Sequence, residues 1–276
     1  VLKLRDVKCG AGKDMNVTNP RQYGDPPYGV AVIHGGPGAA GEMAPVAVGL
    51  ASSRGVLEPL QTAESLDAQV RELLDILTGN ADPPVTLVGW SWGAWLGLIL
   101  AAEQPSLVKK LIIVGSPPFE ERYVARIADA RLRRMSEEER EELDCLMEAL
   151  NEPGGAGQLQ AMARLGELLS GTDSFDPVPH EDDVLEYRPD IYREVWKEAE
   201  RLRSSGRLLA ISRAVRCPVV AIHGEDDPHP YEGVRGPLEG AVRDFRFVLL
   251  KECGHKPWIE RSAREGFYEA LERELR

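Results

Sequence analysis

The chain has 276 residues, with 33 Lys and Arg against 45 Asp and Glu, for a formal net charge of −12. So acidic a surface repels phosphate backbones and anionic lipid, which excludes a nucleic-acid partner and a membrane surface from the expected functions. The length suits one large α/β domain with room for an inserted subdomain, and leaves the oligomeric state open.

Residues 1 to 28 read as short strands and turns: Val1 to Val7 alternates loosely, and Gly10 to Gly12 and Asp25-Pro26-Pro27 are breakers. No basic segment followed by an apolar one opens the chain, and the longest apolar run, Gly93 to Ala102, is stopped by Glu103. That run is too short to span a bilayer and fits a buried helix, so a cytoplasmic location is expected. The four cysteines, Cys9, Cys145, Cys217 and Cys253, have neither Cys-x-x-Cys spacing nor histidines at ligand spacing. They read as separate thiols, and no metal site is expected.

Gly29 to Ile33 is a continuous apolar strand, as in a sheet covered on both faces, and it runs into His34-Gly35-Gly36-Pro37-Gly38. A short strand is expected within 55 to 60. From Ser65 the period changes: Leu66, Val70, Leu73, Leu74 and Leu77 share one face of an amphipathic helix, which Asp82-Pro83-Pro84 ends. Next comes the most informative stretch, Val85 to Leu100. Four β-prone residues lead into Gly89-Trp90-Ser91-Trp92-Gly93, and an apolar helical segment follows directly. Strand, sharp turn and helix put Ser91 at the apex, with glycines two positions to either side to give the turn room. The plainer reading of the same letters is a serine that caps a helix.

Leu111 to Gly115 is the next buried strand, and strand-helix alternation to this point means parallel pairing in a layered α/β fold. Residues 119–215 contain almost no strand-like run and read as a helical insertion, or cap, within a core formed by 1–118 and 216–276. In it, Ser136 to Glu139 has capping-box spacing with Leu143, Met147 and Leu150 on one face behind it. A Pro-Gly-Gly turn at 153–155 precedes a helix around 158 to 170, and Pro189 opens a helix carrying Ile191, Val195, Ala199 and Leu202. The strands resume with Pro218 to Ile222, ending in His223-Gly224-Glu225-Asp226-Asp227. Phe245 to Leu250 follows, ending in Cys253-Gly254-His255, and a closing helix carries Phe267, Leu271 and Leu275.

Polar groups therefore collect in loops at strand carboxyl ends, where open α/β sheets bind ligands. A serine hydroxyl needs a base, a group that orients the base, and donors for an oxyanion. Ser91, an aspartate at 226 or 227 and His255 follow one another in that chain order, each after its own strand. His34 and His223 precede glycines at strand ends and read as loop braces. His229, two residues from the acid, reads as a poor base, and His180 as a solvated residue. Cys253 reads as a small buried support for the His255 loop. Trp90, Trp92 and Trp95 are expected to wall a pocket or core, with Trp90 and Trp95 as substrate-binding candidates. No cofactor fingerprint is present, and the chemistry expected here requires none.

These motifs make the chain similar to the α/β-hydrolase superfamily over nearly its whole length. His34-Gly35-Gly36-Pro37-Gly38 with Gly89-Trp90-Ser91-Trp92-Gly93 resembles its proline iminopeptidase-like branch. The resemblance implies Ser91 as nucleophile, His255 as base and Asp227 as acid, the last from the spacing Gly224-x-x-Asp227. It also implies an oxyanion hole from the backbone N–H groups of Gly36 and Trp92. The branch's Asp-Gln-Arg-Gly-x-Gly-x-Ser stretch is absent; Ser53 to Leu60 stands there. Glu181, Asp182, Asp183 and Glu186 read as a solvated acidic loop more readily than as an amine site. The expected function is hydrolysis of a small ester or amide through an acyl-enzyme. The alternatives are an iminopeptidase-like aminopeptidase and a non-catalytic small-ligand receptor.

Overall fold

The computed structural model describes residues 18–152, 157–180 and 183–276. The alternation at Val1 to Val7, the breaker at Gly10 to Gly12, Cys9, the turn at 153–155 and the acidic pair Glu181 and Asp182 lie outside them. The chain runs β1 (Arg21–Tyr23), β2 (Val30–Ile33), β3 (Ala39–Ala40), α1 (Ala44–Leu50), β4 (Val56–Glu58), α2 (Leu66–Asn80), β5 (Val85–Trp90), α3 (Trp92–Glu103) and β6 (Val108–Val114). Next come α4 (Val124–Arg134), α5 (Glu137–Asn151), α6 (Gln158–Thr172), β7 (Glu186–Tyr187), α7 (Pro189–Ser204) and α8 (Arg207–Ser212). The chain closes with β8 (Val219–Gly224), α9 (Glu232–Ala241), β9 (Phe245–Leu250) and α10 (Arg264–Glu274).

Seven strands form one sheet in the order β1-β4-β2-β5-β6-β8-β9, and only β1 runs antiparallel to its neighbour. Side chains alternate between its faces. Ala31, Ile33, Leu87, Leu111, Ile113, Val219 and Ala221 face one core with α2, α3 and α9, which α7 and α8 extend. Val30, Val32, Val88, Ile112, Val114, Val220 and Ile222 face the other with α1 and α10. Both faces are covered, so the inner strands read as unbroken apolar runs rather than alternations. The helix after Ser91 is buried from Trp92 to Ala101, because it lies between the sheet and the outer helices.

Between β6 and β8 the regular elements among the described residues are helices apart from β7. Ser65 caps α2 through Ala68 N, and Ser136 with Glu139 closes a capping box on α5. The packed face of α5 differs from the expected one. Leu143, Leu146, Ala149 and Leu150 meet α6, whereas Met147 is exposed. A two-strand ribbon, β3 with β7, ties this insertion to the glycine loop after β2.

Candidate active site

Ser91 has φ 51° and ψ −116°, a left-handed conformation uncommon for a residue with a side chain. Its strain is held from both sides. The Ser91 N–H donates to Val114 O at 2.9 Å, and its carbonyl accepts from Ala94 N at 3.0 Å. A Cβ at Gly89 would collide with Gly93 O, and one at Gly93 with Ile33 O, so the elbow requires both glycines. Its side chain faces a cavity of about 270 Å³ between the sheet edge and the insertion.

His255 and Asp227 meet at the same edge. His255 Nδ1 lies 2.7 Å from Asp227 Oδ2, so the aspartate paired with it is 227, not 226. Asp226 is engaged through its backbone, by Cys253 O on one side and the Arg134 guanidinium on the other. The His255 loop is positioned by three bonds. Its N–H donates to Asp173 O at 2.8 Å, its carbonyl accepts from Trp90 Nε1 at 3.0 Å, and the neighbouring Gly254 N–H donates to Glu260 Oε1 at 2.8 Å. Among the described residues Ser91 Oγ makes no hydrogen bond to His255, although both line the cavity. Such contacts are often open before substrate binds.

Gly36 and Trp92 also border the cavity next to Ser91. Trp92 is the first residue of α3, where a backbone N–H has no acceptor within the helix. Gly36 has φ +31° in a loop that His34 braces. His34 Nδ1 donates to Gly35 O at 2.7 Å, and its Nε2 accepts from Gln61 N at 3.3 Å. Burial keeps this imidazole neutral, with its pKa lowered to about 4.

The tryptophans separate. Trp90 lines the cavity, but Trp95 does not: it is fully buried beneath, stacked 6.1 Å from Trp196, with its Nε1 donating to Pro117 O at 3.2 Å. Trp95 is a core residue, and Trp196 on α7 contacts the cavity in its place. The helical spacing of the apolar run after Ser91 points Trp95 away from Ser91, into the layer under the insertion.

Four features of this edge have no counterpart in the expectations from sequence. Asp227 is shared: Oδ1 accepts both the backbone N–H of His229, at 2.9 Å, and its Nδ1, at 2.8 Å. His223 Nε2 lies 2.8 Å from His229 O and 3.4 Å from Asp227 Oδ2. Burial alone would raise the pKa of Asp227, but His255, His229 and His223 around it hold it well below the usual carboxylate range. Gly115 is the second feature. At φ +52°, it lies so close that a Cβ would sit 3.0 Å from His255 Nδ1 and 3.3 Å from Asp227 Oδ2. Third, Arg131 on α4 grips Asp173 with two nitrogens, and Lys256 pairs with Glu42 at 2.9 Å, so the cavity wall carries two ion pairs. Fourth, the fully buried Glu260 accepts three backbone N–H groups, from Gly254, Phe175 and Asp176.

One face of α6 forms the opposite wall, with Met162, Leu165 and Leu169 toward the apolar end and Ser170 nearer Asp173. Asp227, His229 and His255 are also the one set among the described residues whose ligand-type atoms all lie within 4.8 Å. The carboxylate only accepts, which assigns the Nδ1 proton to both rings, so the set is satisfied as a hydrogen-bonded cluster.

Comparison with known proteins agrees with this architecture. A family model described as Alpha/beta hydrolase family matches residues 28–270. The pimeloyl-[acyl-carrier protein] methyl ester esterase of Nitrosospira multiformis is 24% identical over 213 residues, 75% of this chain and 74% of that one. The crystal structure of VinJ matches with a TM-score of 0.64 at 19% identity over 93% of each chain. Proline iminopeptidase of Mycobacterium smegmatis matches with a TM-score of 0.61 at 21% identity, again over 93% of each. Among the described residues no helix is long and apolar enough to cross a membrane.

Proposed function

The chain belongs to the alpha/beta hydrolase family and is a hydrolase, and from that premise we propose that it is a serine hydrolase cleaving a small ester or amide through an acyl-enzyme. The observation that carries this reading is the 2.7 Å contact of His255 with Asp227 beside a strained Ser91 on one cavity. Asp227 orients the His255 ring and assigns its Nδ1 proton, leaving Nε2 to accept the Ser91 proton as Oγ attacks the carbonyl carbon. The Gly36 and Trp92 N–H groups receive the oxyanion. His255 returns the proton to the leaving atom as its bond to carbon breaks. Water, deprotonated by the same imidazole, then attacks the acyl carbon, and the imidazolium returns that proton to Ser91 Oγ as the acyl–Oγ bond breaks and the acid leaves. The esterase named among the relatives acts on a methyl ester, which supports reaction at an ester carbonyl.

Iminopeptidase-type selection of an amino-terminal ammonium needs an uncommitted carboxylate on the cavity. Among the described residues the two that line it, Glu42 and Asp173, are each paired with a cation, which favours acyl groups without an ammonium. A fluorophosphonate probe tests the nucleophile: the wild type is labelled and Ser91→Ala is not, with hydrolysis of short nitrophenyl esters lost in parallel. Labelling of Ser91→Ala at the wild-type rate refutes the assignment.

A further inference from the structure

The second imidazole on Asp227 takes no part in that proposed reaction, and its geometry is specific. His229 Nδ1 is committed to Asp227 Oδ1 at 2.8 Å, and its ring lines the cavity with its centroid 4.4 Å from that of His255. Its remaining nitrogen, Nε2, makes no hydrogen bond among the described residues, and the ring that carries it borders the same cavity as Ser91 and His255. With the proton on Nδ1, that nitrogen offers a lone pair and no donor. The ring is also fixed: its backbone N–H bonds to Asp227 and its carbonyl receives His223 Nε2.

We propose that His229 Nε2 accepts a hydrogen bond from an N–H on the leaving group, making the site selective for amides whose scissile nitrogen carries a proton. This rests on the assignment of Ser91 and His255 above. The group that protonates the leaving atom must face that atom, and His229, packed on His255 and bordering the same cavity, is the neighbouring side chain we place on the leaving-group side of the tetrahedral intermediate. An amide nitrogen there needs two partners. It receives a proton from His255 Nε2 as the C–N bond breaks and its electron pair stays on nitrogen. Its own N–H needs an acceptor in a cavity from which water is leaving, where an unpaired N–H is costly. His229 supplies that acceptor without taking the proton. Burial and the facing His255 lower its pKa to about 4, which keeps the lone pair available near neutrality. An ester leaving oxygen has no such proton, so the contact discriminates between the two substrate classes.

The test compares 4-nitrophenyl butyrate with butyryl 4-nitroanilide, which share an acyl group and differ in the leaving atom. Asparagine at 229 can place its amide N–H where Nδ1 stands, preserving the donor to Asp227 and removing the Nε2 acceptor. His229→Asn is therefore expected to lower the anilide-to-ester ratio of kcat/KM about tenfold, with the ester itself falling no more than about threefold. His229→Gln, which reaches farther and carries an acceptor oxygen, recovers part of the anilide rate. An equal fall on both substrates overturns the proposal, because His229 then acts only through Asp227. No change in the ratio overturns it too, as does a wild type that turns over the ester with no measurable anilide hydrolysis. A wild type that fluorophosphonate does not label removes the underlying assignment instead, so the two failures are distinguishable.

Discussion

The sheet edge and the helical insertion hold the same cavity by different means. At the edge, backbone touches backbone. Gly89 against Gly93, Gly93 against Ile33 and Gly224 against Cys253 each leave no space for a Cβ. The insertion is joined to the edge through backbone at Gly38 and Gly254, but the wall it gives the cavity is made of side chains, the α6 stripe of Met162, Leu165 and Leu169 and the Arg131 grip on Asp173. Atoms fixed by main-chain contacts cannot drift without moving a strand, which suits groups whose geometry decides a rate. A wall of packed side chains can change its shape by substitution and leave the fold intact. The expected division is that changes at the edge alter whether the reaction runs, and changes in the insertion alter what it runs on.

Gly115→Ala is the strongest way to break that division. The new Cβ would meet His255 Nδ1 at 3.0 Å and His255 O at 2.9 Å, at a φ of +52° that disfavours alanine. Spreading the Asp227–His255 pair by a fraction of an ångström should cost about 10- to 100-fold in kcat/KM on short nitrophenyl esters. An alanine enzyme within threefold of wild type would show that the edge tolerates what its packing says it cannot.

Glu260 joins the two regions, and its loss should fall on both. One carboxylate holds Gly254 in the His255 loop and Phe175 and Asp176 in the insertion. Glu260→Ala leaves three backbone donors short of an acceptor, so unfolding in urea should show a stability loss of about 2–3 kcal/mol. If the midpoint is unchanged, water has replaced the carboxylate and the joint is weaker than it looks.

In the insertion, Leu169→Ala enlarges the cavity wall next to Ser170 without touching the edge. Longer acyl esters should gain on short ones, with a selectivity change of about tenfold or less, in line with the discrimination a few methylenes give in an apolar pocket. A general fall across all chain lengths would mean that this wall also positions the reacting groups.

The edge was also the more legible half of the sequence. Gly89-Trp90-Ser91-Trp92-Gly93 sets its own conformation within five residues, and the sheet's strands announce themselves as apolar runs, so Ser91 and the parallel sheet could be read locally. Residues whose role depends on distant partners could not. Glu260 reaches back to Phe175 and Asp176, and Asp173 meets Arg131 across 42 residues of helix and turn. Trp95 has the composition of a pocket residue, but the rotation of α3 places it in the core, and Trp196, far along the chain, lines the cavity. The bond of His229 to Asp227 is the feature the sequence does signal. Asp227 folds back on residue i+2 through an Asx turn, and Pro228 and Pro230 on either side of His229 are the signal for such a turn. Nearness in sequence, which argued against His229 as a base, is what lets its ring reach the same carboxylate.

The histidines around that carboxylate make the edge sensitive to pH. His229 is buried and faces Asp227, His255 and Arg131; burial outweighs the carboxylate and lowers its pKa from 6.5 to about 4. Between those values the unfolded chain binds a proton at this site and the folded chain does not. Stability therefore rises with pH through the window and is lost as pH falls below 6.5. From pH 7 to pH 5.5 the contribution of His229 is about 1 kcal/mol. His34, with its pKa also lowered to about 4, and His223, lowered by burial, push in the same direction. Asp227 is held well below 3.8, so it stays charged throughout and adds nothing in this range. His229→Asn removes one titrating group and leaves the other two, so its urea midpoint should move less than that of the wild type between pH 7 and pH 5.5. Equal movement in the two proteins would show that the His229 ring is protonated at little cost in the folded state, which would also deprive its Nε2 of the lone pair on which its selectivity depends.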